Sequence, residues 1–300
     1  MTDQYDVRPR KAPIGREFIS RRIHSLAGFF FLLFLCEHLF TNSQASLWLG
    51  DDGKDFIQAV NFIHSLPYLQ VIELTFIALP LAVHIWWGIE RIHMARVNSI
   101  PSDGTSPSLP YSRNIAYTWQ RITSVLLIIA IGLHVYYMRF AKEPESVSYG
   151  LSSTYFVKVT KDPGIYTLAP RLNLMLYDHA QIDKAKPEDE IDQKRITLMK
   201  ELRPGKGDLV AMCDSFGTAL LMMVRDTFKS IWLCTLYSIF VVIAAFHGCN
   251  GLWTFAITWG ISLSERGRHI VRIGSNVLMG LLIFLGLVSI WGVYWINLRF

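Results

Sequence analysis

Five apolar stretches, each near the ~20 residues needed to cross ~30 Å of hydrocarbon, constrain this chain more than any other feature. They fall at about 23–41, 69–89, 122–139, 230–249 and 273–296. Inside lipid a segment must satisfy its own backbone hydrogen bonds, so such runs predict helices. The composition agrees. Hydrophobic residues make up 51% and charged residues 18%, against about a quarter charged in soluble domains. A soluble enzyme, a nucleic-acid binder and a disordered chain are therefore poor fits. The fold class predicted is an all-α membrane protein, a bundle of five transmembrane helices. Four cysteines imply no disulfide framework, and the absence of a CxxCH sequence excludes covalently attached c-type haem. The N-terminus is too charged, and the first apolar run too long, for a signal peptide.

The basic residues predict an orientation. Arg8, Arg10, Lys11, Arg16, Arg21 and Arg22 precede the first run. Arg91, Arg96, Arg113 and Arg121 flank the second loop, and Arg266, Arg268 and Arg272 the fourth. The opposite side holds only Lys54 and Arg299 in its short segments. By the positive-inside rule the N-terminus is cytoplasmic and the C-terminus external. The chain then divides into a cytoplasmic tail (1–22), spans one to three (23–139), an external insertion (140–229) and spans four and five (230–300). Within the insertion, Thr154–Val159 and Ile165–Leu176 alternate around Lys161-Asp162-Pro163-Gly164, which predicts a β-hairpin. Pro187–Leu202 predicts a short polar helix. Phe216–Val224 predicts an interfacial helix leading into span four.

Four of the nine histidines lie inside apolar runs, one per span: His38, His84, His134 and His247. A single buried histidine is as well explained by a hydrogen bond to a neighbouring helix, but ionisable residues at depth are costly and four together point to function. Depth sorts them. His38 follows Arg22 by 16 residues and His134 follows Arg121 by 13, about 20–24 Å from the cytoplasmic edge. His84 precedes Arg91 by 7 residues, about 10 Å from that edge, and His247 lies near the same end of span four. Spans one and three thus offer an outer pair, spans two and four an inner pair. Two imidazoles facing each other can ligate a haem iron axially, whereas zinc or copper would need three or four ligands at one level. Fourteen residues turn a helix nearly a whole number of times, which puts His24 on the face of His38 and Gln120 on that of His134. Glu73, 11 residues before His84, shares its face and reaches the outer level. A quinol–cytochrome c arrangement needs a histidine pair on each of two helices, and only span one has one.

These residues sit in motifs. REFISRRIHSLAG, the EHL around His38, LPLAVHIWWG, WQRITS, LHVYYMR and FHGCNGLWTFAITWG resemble the di-haem cytochrome b membrane anchor of succinate dehydrogenase (succinate:menaquinone oxidoreductase) and its fumarate reductase relatives. The resemblance covers all five spans in order. Its most specific part is Asn250, Gly251, Leu252, Trp253 and Trp259 after the fourth histidine. It implies two b haems with iron held by four histidines, the inner by His84 and His247 and the outer by His38 and His134. It also implies a flavoprotein and an iron–sulfur subunit on the cytoplasmic face, menaquinone as substrate, and a place in the bacterial cytoplasmic membrane, within the respiratory chain and the tricarboxylic acid cycle. The same path serves succinate oxidation or fumarate reduction. The chain itself has no GxGxxG fingerprint and no clustered cysteines, so the dicarboxylate chemistry would belong to another chain. The insertion of about 90 residues is longer than the family implies.

Further candidates are weaker. Arg21, Arg22, His24, Ser25, Arg91, Arg113, Gln120 and Arg121 are candidate partners of haem propionates, since guanidinium forks suit carboxylates; lipid phosphates are the competing partners. Trp253 and Trp259 are candidates to wall the inner haem. Glu73, Glu37 and His64 are the protonatable groups near the outer level, with Glu73 preferred for quinone chemistry. A proton-coupled transporter using membrane histidines is the rival reading. It predicts inverted repeats or broken helices, and the sequence shows neither. A haem-free anchor whose histidines only pack is the third.

Overall fold

The computed structural model describes residues 15–94, 99, 109, 111–262 and 264–299. Arg8, Arg10, Lys11 and Arg96 of the charge count lie outside them, as does the Arg299 side chain. Five helices are long and apolar enough to cross a membrane: Arg16–Ser43, Leu69–His93, Ser112–Ala141, Ile231–Thr258 and Glu265–Asn297. We call them spans one to five. Each runs further than its apolar stretch alone predicts: spans one, three and five begin in polar turns ahead of the apolar run, and spans two and four continue past its end. Span one therefore takes in Arg16, Arg21 and Arg22. Large apolar side chains point away from the bundle, among them Trp86 (73% exposed), Leu133 (64%) and Trp232 (77%). That is the surface of a multi-pass membrane protein, whose outward face meets lipid rather than water.

Spans one and four form the centre. Span one packs on spans two, four and five, and span four on spans one, three and five. The diagonal neighbours, one with three and two with four, are not closely packed among the described residues. Small residues permit the tight crossings. A Cβ on Gly248 would lie 3.0 Å from Leu32 Cδ1, and one on Gly286 2.5 Å from Val241 Cγ1. Three spans contain a wide π turn, at Leu74–Ala78, Tyr136–Ala141 and Val288–Gly292. Such a turn inserts a residue and loosens the backbone ladder. In span five the Val288 carbonyl accepts from the Ser46 hydroxyl at 2.8 Å, and the indole of Trp291 donates to Ser238 at 2.8 Å.

The segment between spans three and four folds against one end of the bundle. Its antiparallel sheet comprises β1 (Glu145–Tyr149), β2 (Ser152–Thr160), β3 (Met175–Asp178) and β4 (Asp208–Cys213) in the order β1-β2-β4-β3. The expected hairpin around residues 161–164 is not formed. Asp162 caps a helix, Pro163–Arg171, by accepting from the Ile165 amide at 2.9 Å, with Pro163 in the first turn. An N-cap aspartate followed by proline suits a helix start, since proline lacks the donor that the first turn leaves unpaired. β2 accordingly pairs with β1 and β4, not with β3. The polar helix is present at Glu190–Glu201.

The expected interfacial helix is instead a core element. Phe216–Thr227 buries Gly217 to Ala219 and Leu221 to Arg225, between β2 and the helix Lys54–His64 that follows span one. Gly217 allows this close approach: a Cβ there would meet the Ile57 carbonyl oxygen at 2.5 Å. An ion cluster ties this helix to the cap of the Pro163–Arg171 helix, just past the end of β2. Arg225, 6% exposed, donates to both carboxylate oxygens of Asp162 at 2.9 and 2.7 Å, and Lys229 reaches Asp162 at 2.7 Å and Asp226 at 3.2 Å. Burial opposes the Asp162 charge, but hydrogen bonds and charge from Arg225 and Lys229 outweigh it and hold the carboxyl well below its usual range.

Candidate haem site

The two diagonals of the bundle carry the histidines. His84 of span two faces His247 of span four, with ring centres 6.1 Å apart and planes at 85°. His38 of span one faces His134 of span three at 5.8 Å and 81°. An imidazole nitrogen lies about 2 Å from a transition metal it ligates. Two imidazoles on opposite sides of one ion therefore put their nitrogens about 4 Å apart and their ring centres about 6 Å apart. Both pairs match that spacing. Among the described residues no group of three or more His, Cys, Asp or Glu side chains is placed to hold a metal ion.

The ring nitrogens not needed for ligation are mostly engaged. His84 Nδ1 donates to the His24 carbonyl at 3.0 Å, which puts its proton on Nδ1 and leaves Nε2 with the lone pair. His247 Nδ1 lies 3.2 Å from the Thr123 hydroxyl. That hydroxyl donates to the Trp119 carbonyl at 2.7 Å, so its oxygen accepts from the imidazole. His134 Nδ1 lies 3.3 Å from the Tyr237 hydroxyl. His38 has the Asn42 amide at 3.5 Å, but that amide donates more closely to the His38 carbonyl, at 2.8 Å, and sets no tautomer. A second group that fixes the far nitrogen is the usual support of a metal-ligating histidine.

Room has been left at the inner pair. A Cβ on Gly28 would lie 2.7 Å from His84 Cε1 and 2.8 Å from its Nδ1, so only glycine admits the ring. Nothing in the sequence motif around Gly28 marks this role; its position four residues after His24, on one helix face, is the available signal. His24 stacks on His84 with ring centres 4.1 Å apart and planes at 11°. Its Nδ1 is buried without a hydrogen-bond partner, and so is the Trp253 indole nitrogen. Buried polar atoms are nearly always paired. Two orphans flanking the inner histidines suit a bound group with polar substituents at this end.

The other sequence candidates sort unevenly. Arg91 is committed to Glu17 at 3.0 Å and Ser20 at 3.1 Å, and Arg21 to Glu17 at 2.9 Å. Arg22 lies over Phe18 at 3.6 Å, Arg113 over Trp253 at 5.4 Å and Arg121 over Tyr117 at 4.9 Å. Gln120 joins span four: its amide donates to the His247 carbonyl at 3.0 Å and accepts from Asn250 at 2.8 Å. It thus positions the inner histidine's backbone, although helical phase alone put it with His134. Ser25 is half-buried one residue from His24.

At the other end, Glu37 accepts from Thr41 at 2.7 Å on its own helix. His64 stacks on Phe216 at 4.3 Å and belongs to the insertion's packing, not to the histidine pairs. Glu73 pairs with Arg139 at 3.3 Å. The π turn at Leu74–Ala78 lies between Glu73 and His84. Its extra residue rotates Glu73 by about 100° from the face that an unbroken α-helix would give it.

Fold and site together define a class: a multi-pass helical membrane protein whose first four spans each present one histidine, in two facing pairs. No family model matches the chain. It is 24% identical over 277 residues to the succinate dehydrogenase cytochrome b558 subunit of Bacillus subtilis (strain 168), covering 92% of this chain and 96% of that protein. That relative is a full-length homologue, and its name matches the family that the motifs resemble.

Proposed function

We propose that this chain is the membrane-anchor cytochrome b subunit of a succinate:menaquinone oxidoreductase, holding two b haems. His84 and His247 would ligate the haem near the arginine-rich end, His38 and His134 the one near the insertion. The observation that carries this reading is the pair of ring-centre distances, 6.1 and 5.8 Å, each the spacing of two imidazoles across one ion. Homology to a cytochrome b558 subunit over nearly the whole chain supports it. When bound, the haems supply one-electron oxidation and reduction between a dehydrogenase and membrane quinone.

The residues' own tasks follow. His24, through its carbonyl, and Thr123, through its hydroxyl, hold the inner imidazoles by Nδ1, which would leave each Nε2 to ligate the iron. His24, Ser25 and Trp253 are the propionate partners favoured by burial. The arginine-rich end faces the cytoplasm, by the positive-inside rule, and receives the iron–sulfur and flavoprotein subunits that carry the dicarboxylate chemistry. Glu73, Glu37 and His64 are the protonatable groups on the quinone side, and Glu73, paired with Arg139, is the first to test. A reduced-minus-oxidised visible spectrum of the purified chain, with haem counted per chain, tests the reading. Two b-type haems are expected; a flat spectrum rejects it.

A further inference from the structure

Span four supplies a ligand only to the inner pair, yet it also touches the outer one. Tyr237 lies ten residues before His247, about 15 Å along the helix. Its hydroxyl is 3.3 Å from His134 Nδ1, and its ring meets the imidazole edge-on, with centres 5.7 Å apart. The tyrosine is held on two further sides. Phe228, at the foot of the insertion, packs against it at 5.3 Å and 89°, and Phe240 at 6.2 Å. Among the described residues this is the polar contact that reaches the outer pair from a different helix. The Asn42 amide beside His38 comes from the same helix and spends its shorter hydrogen bond on the backbone.

We infer that Tyr237 is a positioning residue for His134 and sets the reduction potential of the outer haem. The inference rests on the reading of His134 as an iron ligand. Ligation through Nε2 leaves the imidazole proton on Nδ1, so the ring donates and the tyrosine oxygen accepts. An acceptor on that proton makes the imidazole a more basic ligand, which favours the oxidised metal. The inner histidines lean on a backbone carbonyl and on a threonine tied into its own helix, acceptors that come with the fold. The outer pair leans on one removable hydroxyl, anchored between the bundle and the insertion.

The test is Tyr237→Phe in the full membrane complex, read by haem count and by a redox titration of both haems. Both haems should remain, because the ring and its packing are kept. At fixed potential the ratio of oxidised to reduced outer haem should fall about threefold, the scale of part of one hydrogen bond. For a one-electron couple that is an upward move of about 30 mV. The inner haem should not move. Phe240→Leu removes a ring 5.6 Å from His134 but no hydrogen bond, and should leave the outer potential in place. Two retained haems with an unmoved outer potential overturn the inference, and so does an equal shift in Phe240→Leu. Loss of the outer haem from Tyr237→Phe also overturns it, since the residue would then be structural. Absence of b haem from the unaltered complex would reject the ligation reading itself, a different result from any of these.

Discussion

Gly28→Ala is the most economical challenge to the inner site. At an ordinary helix position the change gains about 1 kcal/mol, since alanine orders more cheaply than glycine. Here the new methyl would sit 2.7 Å from His84 Cε1 and 2.8 Å from Nδ1. Ordinary contact begins near 3.4 Å, so the imidazole must retreat by about 0.7 Å. His24 stacks on the same ring at 4.1 Å and accepts from its Nδ1 at 3.0 Å, so retreat stretches or breaks that hydrogen bond. Overpacking costs about 1–3 kcal/mol and the hydrogen bond about 1 kcal/mol, which together exceed the helix gain. Ligand geometry tolerates about 0.5 Å, so the inner haem should be lost or displaced. Haem counts and a redox titration on membranes matched for subunit amount measure this. We expect the outer haem to be kept and the inner one lost or shifted in potential. Two haems at unchanged potentials, in a complex at least as heat-stable as the parent, would refute the reasoning.

Replacing His84 or His247 with alanine should remove the inner haem's signal, and replacing His38 or His134 the outer one; if His84→Ala retained both low-spin haems, the pairing would be wrong. Glu73→Gln should keep both haems and slow quinone reduction, while succinate oxidation with an artificial acceptor at the flavin stays normal. An equal fall of both activities, or of neither, rejects the proton role, and an identical defect in Arg139→Gln assigns the effect to the ion pair. Asp162→Asn should loosen the insertion by about 2 kcal/mol, less than a fully buried pair because the group is partly open to water, seen as faster proteolysis between spans three and four. The folded Asp162 carboxyl titrates below its unfolded value, so its contribution is full above pH ~4 and is lost progressively as pH falls toward and through the folded value; proteolysis of the variant at neutral pH no faster than that of the parent would discount the cluster. Cys213 is buried, and burial with Asp214 beside it pushes the thiol up to about 12, so alkylation at pH 8 should wait for unfolding; rapid labelling of the native chain would contradict the placement.

The spans and the depths of the four histidines were legible in the sequence because both depend on quantities local to one helix. Apolar length fixes what crosses lipid, and a rise of ~1.5 Å per residue fixes how deep a side chain sits. Helical phase was less safe, since one π turn between Glu73 and His84 was enough to turn the carboxylate toward Arg139. The insertion was read least well. Its inner strand β4 is buried from Leu209 to Cys213, so it shows as a short apolar run with no alternation to mark it. Asp162 and Pro163 serve equally as turn residues and as a helix start, and only the strands β2 found as neighbours decided between them. The choice of partner for each arginine, the vacancy at Gly28 and the reach of Tyr237 across to His134 belong to tertiary structure alone. Each depends on where a second helix stands, and that is set by how all five spans pack.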